Sequence, residues 1–160
     1  WPKDVSQLPL YYNHLPSGRP YQYIDGTFEP RFAFGHGLSF TTFEYSNLKF
    51  EPAQIARGQK TNVSVAVKNI GKTAGDEVVQ LYVRDVVSSV ARPVKQLQGF
   101  KRISLEPGQE QVVTFTLGQQ ELSLIDKNFK RVIESGEFEI MVGSSSADIR
   151  QRGILLVTKD

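Results

Sequence analysis

The sequence predicts an all-β protein, a two-sheet antiparallel sandwich that follows an extended N-terminal segment. Apolar residues alternate with polar ones in a series of short runs after about residue 45, and turn-forming residues separate these runs. No convincing amphipathic helix accompanies them. Residues 1–44, in contrast, are rich in proline, glycine and aromatic residues and show no sustained period. The chain therefore divides into an N-terminal segment, residues 1–44, and a β-sandwich, residues 45–160.

Four rows of alternating apolar residues predict the clearest strands. They are Val63/Val65/Val67, Val79/Leu81/Val83, Val113/Phe115/Leu117 and Phe138/Ile140/Val142. Shorter candidates lie at 47–50, 97–105 and 154–157, which makes about seven strands. We expect the inward positions to be buried, namely Val65, Val67, Leu81, Val83, Phe115, Phe138 and Ile140. This many short strands indicate an immunoglobulin-like sandwich and, without cysteine, its fibronectin III-like form.

The N-terminal segment is expected to lie extended across the sandwich. A stretch so dense in aromatic residues cannot bury its own surface, so it needs another surface to cover. Its apolar run at 7–12 is a candidate for a single strand. We expect Phe34, Leu38 and Phe40 to anchor the segment on the sandwich.

Composition excludes several classes of function. Nineteen basic and seventeen acidic residues give a net charge of +2 without any basic cluster, so nucleic acid is not an expected partner. No apolar stretch is long enough to predict a membrane-spanning helix. The absence of cysteine excludes disulfides and thiolate sites but says little about the compartment. A periplasmic or secreted location is favoured over the cytoplasm. The start at Trp1 suggests a piece of a longer protein.

Residues with catalytic or metal-binding potential lack partners in the sequence. His14 and His36 have no third ligand nearby, so we interpret them as packing residues at a domain junction. Asp25 and Glu29 lie in a stretch without a rigid frame, although glycoside hydrolysis needs a firmly held carboxyl pair. The run 143–146 favours a loop between strands over a nucleophile turn. The remaining carboxylates that we considered are expected to be solvated at strand ends: Asp85, Glu106, Glu121 and Asp126. We predict no catalytic, cofactor-binding or metal-binding residue.

Several longer strings resemble one known family in order along nearly the whole chain. They are Pro2-Lys3, Gln7-Leu8-Pro9, Tyr11-Tyr12-Asn13-His14, Gly18-Arg19-Pro20, Phe34-Gly35-His36-Gly37-Leu38-Ser39-Phe40, Asn69-Ile70-Gly71, Ala74-Gly75-Asp76-Glu77, Arg92-Pro93-Val94-Lys95-Gln96-Leu97 and Asp148-Ile149-Arg150. Together they resemble the C-terminal part of family 3 glycoside hydrolases of the β-glucosidase and β-xylosidase type. In that resemblance the first strings end an α/β sandwich domain, and the later ones form a fibronectin type III-like domain.

The resemblance implies an accessory piece of an enzyme. The family's enzymes release sugars from the non-reducing ends of β-linked glycosides with retention of configuration. Their nucleophilic Asp and acid/base Glu lie in segments that would precede residue 1, so the chain alone is not expected to be catalytic. Its implied partners are the barrel and α/β sandwich domains of the parent, which alone would meet the glycoside substrate, and a homodimer of the parent is left open. The residues expected to dock between domains are Tyr11, Tyr12, His14, Arg19, Phe34, His36, Leu38, Phe40 and Arg92.

Two other functions stay open at this point. The chain is alternatively a free-standing module that binds carbohydrate or protein through exposed aromatic residues. An autonomous hydrolase has the least support, because no carboxyl pair stands in a rigid frame.

Overall fold

The computed structural model describes residues 1–16 and 29–159. A short 3-10 turn at Val5–Gln7 precedes the first strand. The strands are β1 (Phe43–Glu51), β2 (Gln54–Ala56), β3 (Thr61–Asn69), β4 (Gly75–Asp85), β5 (Gln96–Leu105), β6 (Glu110–Leu117), β7 (Leu124–Ile125), β8 (Arg131–Val132), β9 (Gly136–Gly143) and β10 (Ile149–Thr158). A single turn of helix, α1 (Gln119–Leu122), follows β6.

These strands form the predicted two-layer sandwich. The smaller sheet has the order β1-β3-β6, and the larger sheet has the order β2-β10-β9-β4-β5. All pairs in the two sheets are antiparallel except that between β2 and β10, which is parallel. A separate two-stranded ribbon joins β7 to β8. The protein is therefore all-β with the architecture of a fibronectin III-like sandwich.

The core lies between the inner faces of the two sheets. All seven side chains predicted to face inward are buried, so that prediction is confirmed. Phe115 of β6 reaches across to β5, where a side chain on Gly99 would come within 3.0 Å of its ring. Glycine at position 99 therefore makes room for the aromatic ring.

Each of the seven predicted strands is present, and three further strands were missed. The missed strands are β2, β7 and β8, which have three, two and two residues. Alternation needs four or more residues to be recognised, so strands this short leave no periodic signal.

The middle of strand β4 is buried on both faces, which alternation did not predict. Val79, Leu81 and Val83 face the core, yet Gln80 and Tyr82 on the opposite face are also buried. Residues 12 and 35 of the N-terminal segment contact this outer face. The segment therefore does cover part of the larger sheet.

The predicted strand at 7–12 is wrong. Asp4 instead caps a 3-10 turn, and its carboxylate accepts a hydrogen bond from the Ser6 backbone N–H at 2.7 Å. Leu8 and Tyr11 are exposed. The apolar run therefore pairs with no strand, and Pro9 lacks the backbone N–H that strand pairing would use.

Two of the three expected anchors do not hold the segment on the sandwich. Leu38 is 93% exposed and Phe40 is 99% exposed. The third expected anchor, Phe34, is 45% exposed and stacks on Tyr12, which in turn meets Tyr82 of β4 edge-on. Phe34 therefore reaches the sandwich through Tyr12.

Candidate functional site

The buried amide of Gln80 joins β4 to the linker, by which we mean residues 29–42. Its Nε2 atom donates to the carbonyl of Gly35 at 3.0 Å and also to the carbonyl of Ser144 in the β9–β10 loop. Its Oε1 atom accepts a hydrogen bond from the Tyr82 hydroxyl at 2.6 Å. One side chain thus holds three parts of the molecule together.

Aromatic stacking fastens the first part of the N-terminal segment to the same face. Tyr12 stacks on Phe34 at 4.1 Å between ring centroids and meets Tyr82 edge-on at 6.0 Å. The Tyr12 hydroxyl accepts from the backbone N–H of Leu97 at 3.2 Å. Two residues later, the carbonyl of His14 accepts from the backbone N–H of Val94 at 2.9 Å. Each such aromatic pair adds about 0.5–1.5 kcal/mol beyond its burial.

Asn69 fastens the end of the linker at the turn between β3 and β4. Its Oδ1 atom accepts from the Thr41 hydroxyl at 2.6 Å and from the Gly71 N–H at 3.0 Å. Its Nδ2 atom donates to the carbonyls of Thr73 and Leu105. A side chain at Gly71 would lie 2.1 Å from the Thr41 hydroxyl, so glycine lets the linker approach this turn.

The loop between β9 and β10 completes this end of the sandwich. Arg150 forms a bidentate pair with Asp148 at 2.6 and 2.8 Å, and this pairing holds the pKa of Asp148 below its usual range. The Ser146 N–H donates to the Phe34 carbonyl at 2.9 Å, and the Ser146 carbonyl accepts from Lys95 Nζ at 2.7 Å. The run 143–146 is therefore a structural loop, as predicted.

An open groove of about 590 Å³ separates the linker from the sandwich. At its base, the Tyr45 hydroxyl donates to Glu77 Oε1 at 2.7 Å in a buried hydrogen bond. Burial raises the pKa of Glu77 above its usual 4.5, against the opposing effects of the Tyr45 hydroxyl and of Arg150. Burial and Glu77 together raise the pKa of Tyr45. The groove is thus lined by both apolar and polar side chains, and Glu77 is its buried carboxyl group.

The structure brings together only some of the residues predicted to dock between domains. Tyr12 contacts the sandwich, and Phe34, although 45% exposed, stacks on Tyr12 and accepts a hydrogen bond at its carbonyl from the Ser146 N–H. Arg92 bonds within the sandwich, to Gln96 Oε1 at 2.9 Å and to the Ser123 carbonyl. The side chains of five others are exposed, and Arg19 lies outside the described residues. The five exposed residues are Tyr11, His14, His36, Leu38 and Phe40.

Sequence reasoning missed the side chains that do most of the fastening, namely Gln80, Asn69 and Thr41. The one available signal was Gln80 at the centre of an otherwise apolar strand, since a polar residue there needs hydrogen-bond partners when it is buried.

Of the two carboxylates considered for catalysis, Asp25 lies outside the described residues and Glu29 is exposed. The expectation that Asp85 is an ordinary solvated group is wrong, because Asp85 is half-buried and burial raises its pKa. Within residues 1–16 and 29–159, no group of three or more His, Asp or Glu residues is arranged to hold a metal. None of the helices described there has the length and apolar composition to cross a bilayer.

Comparison with known proteins identifies the class and the relatives. The model of the fibronectin type III-like domain family matches residues 77–146. A β-xylosidase from Formosa agariphila is 48% identical over 91% of this chain, and a thermostable β-glucosidase B from Acetivibrio thermocellus is 44% identical over 93%. A solved β-glucosidase from Erythrobacter marinus is 42% identical over 96% of the chain, with a TM-score of 0.91.

The relatives are much longer than this chain. It spans 21% of the length of each of the two curated relatives and 20% of the solved one. The fold and the family match together define a fibronectin type III-like domain. In the relatives, the matching region is part of a larger enzyme. The chain belongs to the family 3 glycoside hydrolases and corresponds to their C-terminal part.

Proposed function

We propose that this chain is an accessory domain that stabilises the catalytic part of a β-glucosidase or β-xylosidase type enzyme. The proposal rests on sequence similarity. Over nine-tenths of its length, this chain is more than 40% identical to two such enzymes, and the match covers about one-fifth of the length of each enzyme. A domain within a longer chain influences its neighbouring domains through the interface that it shares with them.

The division of the chain follows from this proposal. Residues 1–44 would end the α/β sandwich domain and lead into residues 45–160, the fibronectin type III-like domain. The contacts of Tyr12 and Gln80 support a rigid connection, because they tie the N-terminal segment to the outer face of β4, and Phe34 stacks on Tyr12. A rigid connection would hold the two domains in one orientation rather than let them swing freely.

We also propose that the chain does not hydrolyse glycosides by itself. Retaining hydrolysis needs a nucleophile and an acid/base group in one pocket, and the resemblance assigns both to preceding domains. The side chains and backbone of the fibronectin type III-like domain would then affect the lifetime of the enzyme rather than its chemistry.

The test compares three proteins. The isolated chain is assayed with p-nitrophenyl β-glucoside and β-xyloside, beside the longer polypeptide that carries it and a version that lacks residues 45–160. We expect turnover only from the long forms, and a shorter half-life of activity at elevated temperature without residues 45–160. Turnover by the isolated chain that disappears in an Asp25→Asn variant would contradict the accessory role.

A further inference from the structure

The hairpin between β7 and β8 carries an exposed aromatic ring on a closed loop. Phe129 is 90% exposed, and all the residues at 127–131 are exposed. The Asp126 N–H donates to the Lys130 carbonyl at 2.9 Å, and the Phe129 N–H donates to the Asp126 carbonyl at 3.0 Å. The Asp126 carboxylate accepts from the backbone N–H groups of Asn128 and Lys130 at 2.8 and 2.9 Å. The loop is therefore held by its own hydrogen bonds and not by burial of the ring.

The backbone conformation of Phe129 is a second indication that the ring has a role outside the fold. Its φ of +59° lies in the left-handed region, which is unfavourable for a bulky side chain. Glycine or asparagine would adopt this conformation at lower cost and would expose less apolar surface. Residues held in such conformations cluster at functional sites and ligand contacts. Neither burial nor backbone preference favours phenylalanine at this position, which leaves contact with a ligand.

Three cationic side chains accompany the ring in the same short loop. Lys127, Lys130 and Arg131 are exposed, and no ion pair within residues 1–16 and 29–159 holds any of them. The one carboxylate of the loop, that of Asp126, is engaged by backbone N–H groups. Arg131 Nη1 donates to the Ser123 hydroxyl at 3.1 Å, which orients its guanidinium group. Cations without ion-pair partners beside an exposed ring complement an anionic ligand that also has an apolar face.

An acidic polysaccharide fits this combination better than an anionic bilayer does. A ring that entered a bilayer would draw its immediate neighbours, Asn128 and Lys130, toward the hydrocarbon, where unpaired polar groups are costly. A pyranose needs only one face of the aromatic ring, and carboxylate or sulfate groups on the polymer would form charge-assisted hydrogen bonds with the flanking cations. The position of the polar neighbours therefore favours a saccharide ligand.

We propose that the loop at 126–131 binds an acidic β-linked polysaccharide, with Phe129 stacked on a sugar ring and Lys127 and Lys130 paired with its anionic groups. This inference goes beyond the accessory role, and its choice of a β-linked polymer rests on the proposed function. Such a loop would hold the enzyme on polymeric material while the catalytic part acts.

The test measures the migration of the isolated chain in gels that contain glucuronoxylan, a β-linked xylan with uronate side groups. The matched polymer is the same glucuronoxylan after chemical reduction of its carboxyl groups. We expect only the charged polymer to retard the chain, and added salt to weaken the retardation. Phe129→Ala and Lys127→Gln/Lys130→Gln should each bind about tenfold more weakly or worse, because a few anchoring side chains dominate affinity.

Two control variants remove the same groups elsewhere. Phe40→Ala deletes a ring that is 99% exposed on the linker, and Lys49→Gln/Lys68→Gln removes two exposed charges from β1 and β3. Both controls should bind like the unaltered chain. Urea unfolding should give similar midpoints for all the variants, because exposed substitutions change stability little, so that lost binding does not reflect lost folding.

Several results would overturn the inference. They are equal retardation by the two polymers, unchanged binding by Phe129→Ala, an equal loss in Lys49→Gln/Lys68→Gln, and no retardation by glucuronoxylan. Sedimentation of the chain with phosphatidylserine vesicles without retardation by glucuronoxylan would replace the saccharide with a bilayer. The accessory function fails separately, if removal of residues 45–160 leaves the half-life of the longer polypeptide unchanged.

Discussion

The side-chain amide of Gln80 donates to the carbonyl of Gly35 at 3.0 Å, so the central strand β4 holds the linker from its outer face. The same amide bonds to the Ser144 carbonyl, and its oxygen accepts from Tyr82. The hydrogen bond from Tyr82 is buried and the two to carbonyls are partly buried, so a loss at Gln80 leaves the buried Tyr82 hydroxyl and the two carbonyls without this partner.

Replacement of Gln80 by leucine is expected to loosen the linker. The substitution removes the hydrogen-bond donor to the carbonyls of Gly35 and Ser144 and leaves a side chain of similar volume. It should lower the free energy of unfolding by about 1–3 kcal/mol. Hydrogen exchange should quicken at the Ser146 amide, which bonds to the Phe34 carbonyl. The control is Gln111→Leu, at an exposed position of β6. Equal exchange at Ser146 in both variants would show that Gln80 does not fasten the linker.

A pair of glycine substitutions isolates the close approach between Gly35 and Gln80. Both Gly35 and Gly58 have a positive φ, +79° and +81°, so alanine strains the backbone at either position. A side chain at Gly35 would lie 2.1 Å from Gln80 Oε1, whereas Gly58 faces open space. We therefore expect Gly35→Ala to destabilise the chain more than Gly58→Ala in urea unfolding. Equal losses would mean that the side chain of Gln80 moves aside without cost.

The core prediction concerns Phe115. This side chain is 8% exposed, and Phe115→Ala should lower the free energy of unfolding by about 3–5 kcal/mol through lost burial and the cavity left behind. Phe129→Ala serves as the control, and its effect should stay within about 0.5 kcal/mol because that ring is exposed. Denaturant unfolding of both variants measures the difference. A loss below about 1 kcal/mol at Phe115 would contradict the packing of β6 against β5.

Glu77 should make stability depend on pH in a defined direction. Burial raises its folded pKa above the usual 4.5, so the folded chain binds more protons than the unfolded chain between those two pKa values. Its contribution is therefore greatest below about pH 4.5 and declines as the pH rises through the folded pKa. Glu77→Gln keeps an acceptor for the Tyr45 hydroxyl but cannot ionise.

Urea unfolding of the unaltered chain and of Glu77→Gln at a series of pH values tests this. The variant should gain in stability relative to the unaltered chain as the pH rises from 4 to 7. Glu110→Gln, at the exposed start of β6, is the control and should show no such trend. If the variant instead loses stability relative to the unaltered chain as the pH rises, Arg150 lowers the pKa of Glu77 by more than burial raises it.

Much of the sandwich could be predicted from alternation alone, and less of the candidate site. The rows at Val63–Val67 and Phe138–Val142 mark strands because every second side chain must leave water when one face of a sheet is covered. The docking residues were predicted from a family resemblance, and the structure separates them into fastened residues such as Tyr12 and exposed ones such as Phe40. In a segment without hydrophobic periodicity, the sequence does not show which aromatic residues are buried and which are exposed.

The sequence by itself determined which residues form the main strands and which faces fill the core, since both follow from a local period of two. Only the tertiary structure decided that Gln80 and Tyr82 are buried on the far side of β4, because the cover comes from Tyr12 and Gly35, some 45 to 70 residues earlier. It likewise decided that Leu38 and Phe40 are left uncovered. Local alternation marks the face of a strand that fills the core, but it carries no information about a distant segment that covers the other face.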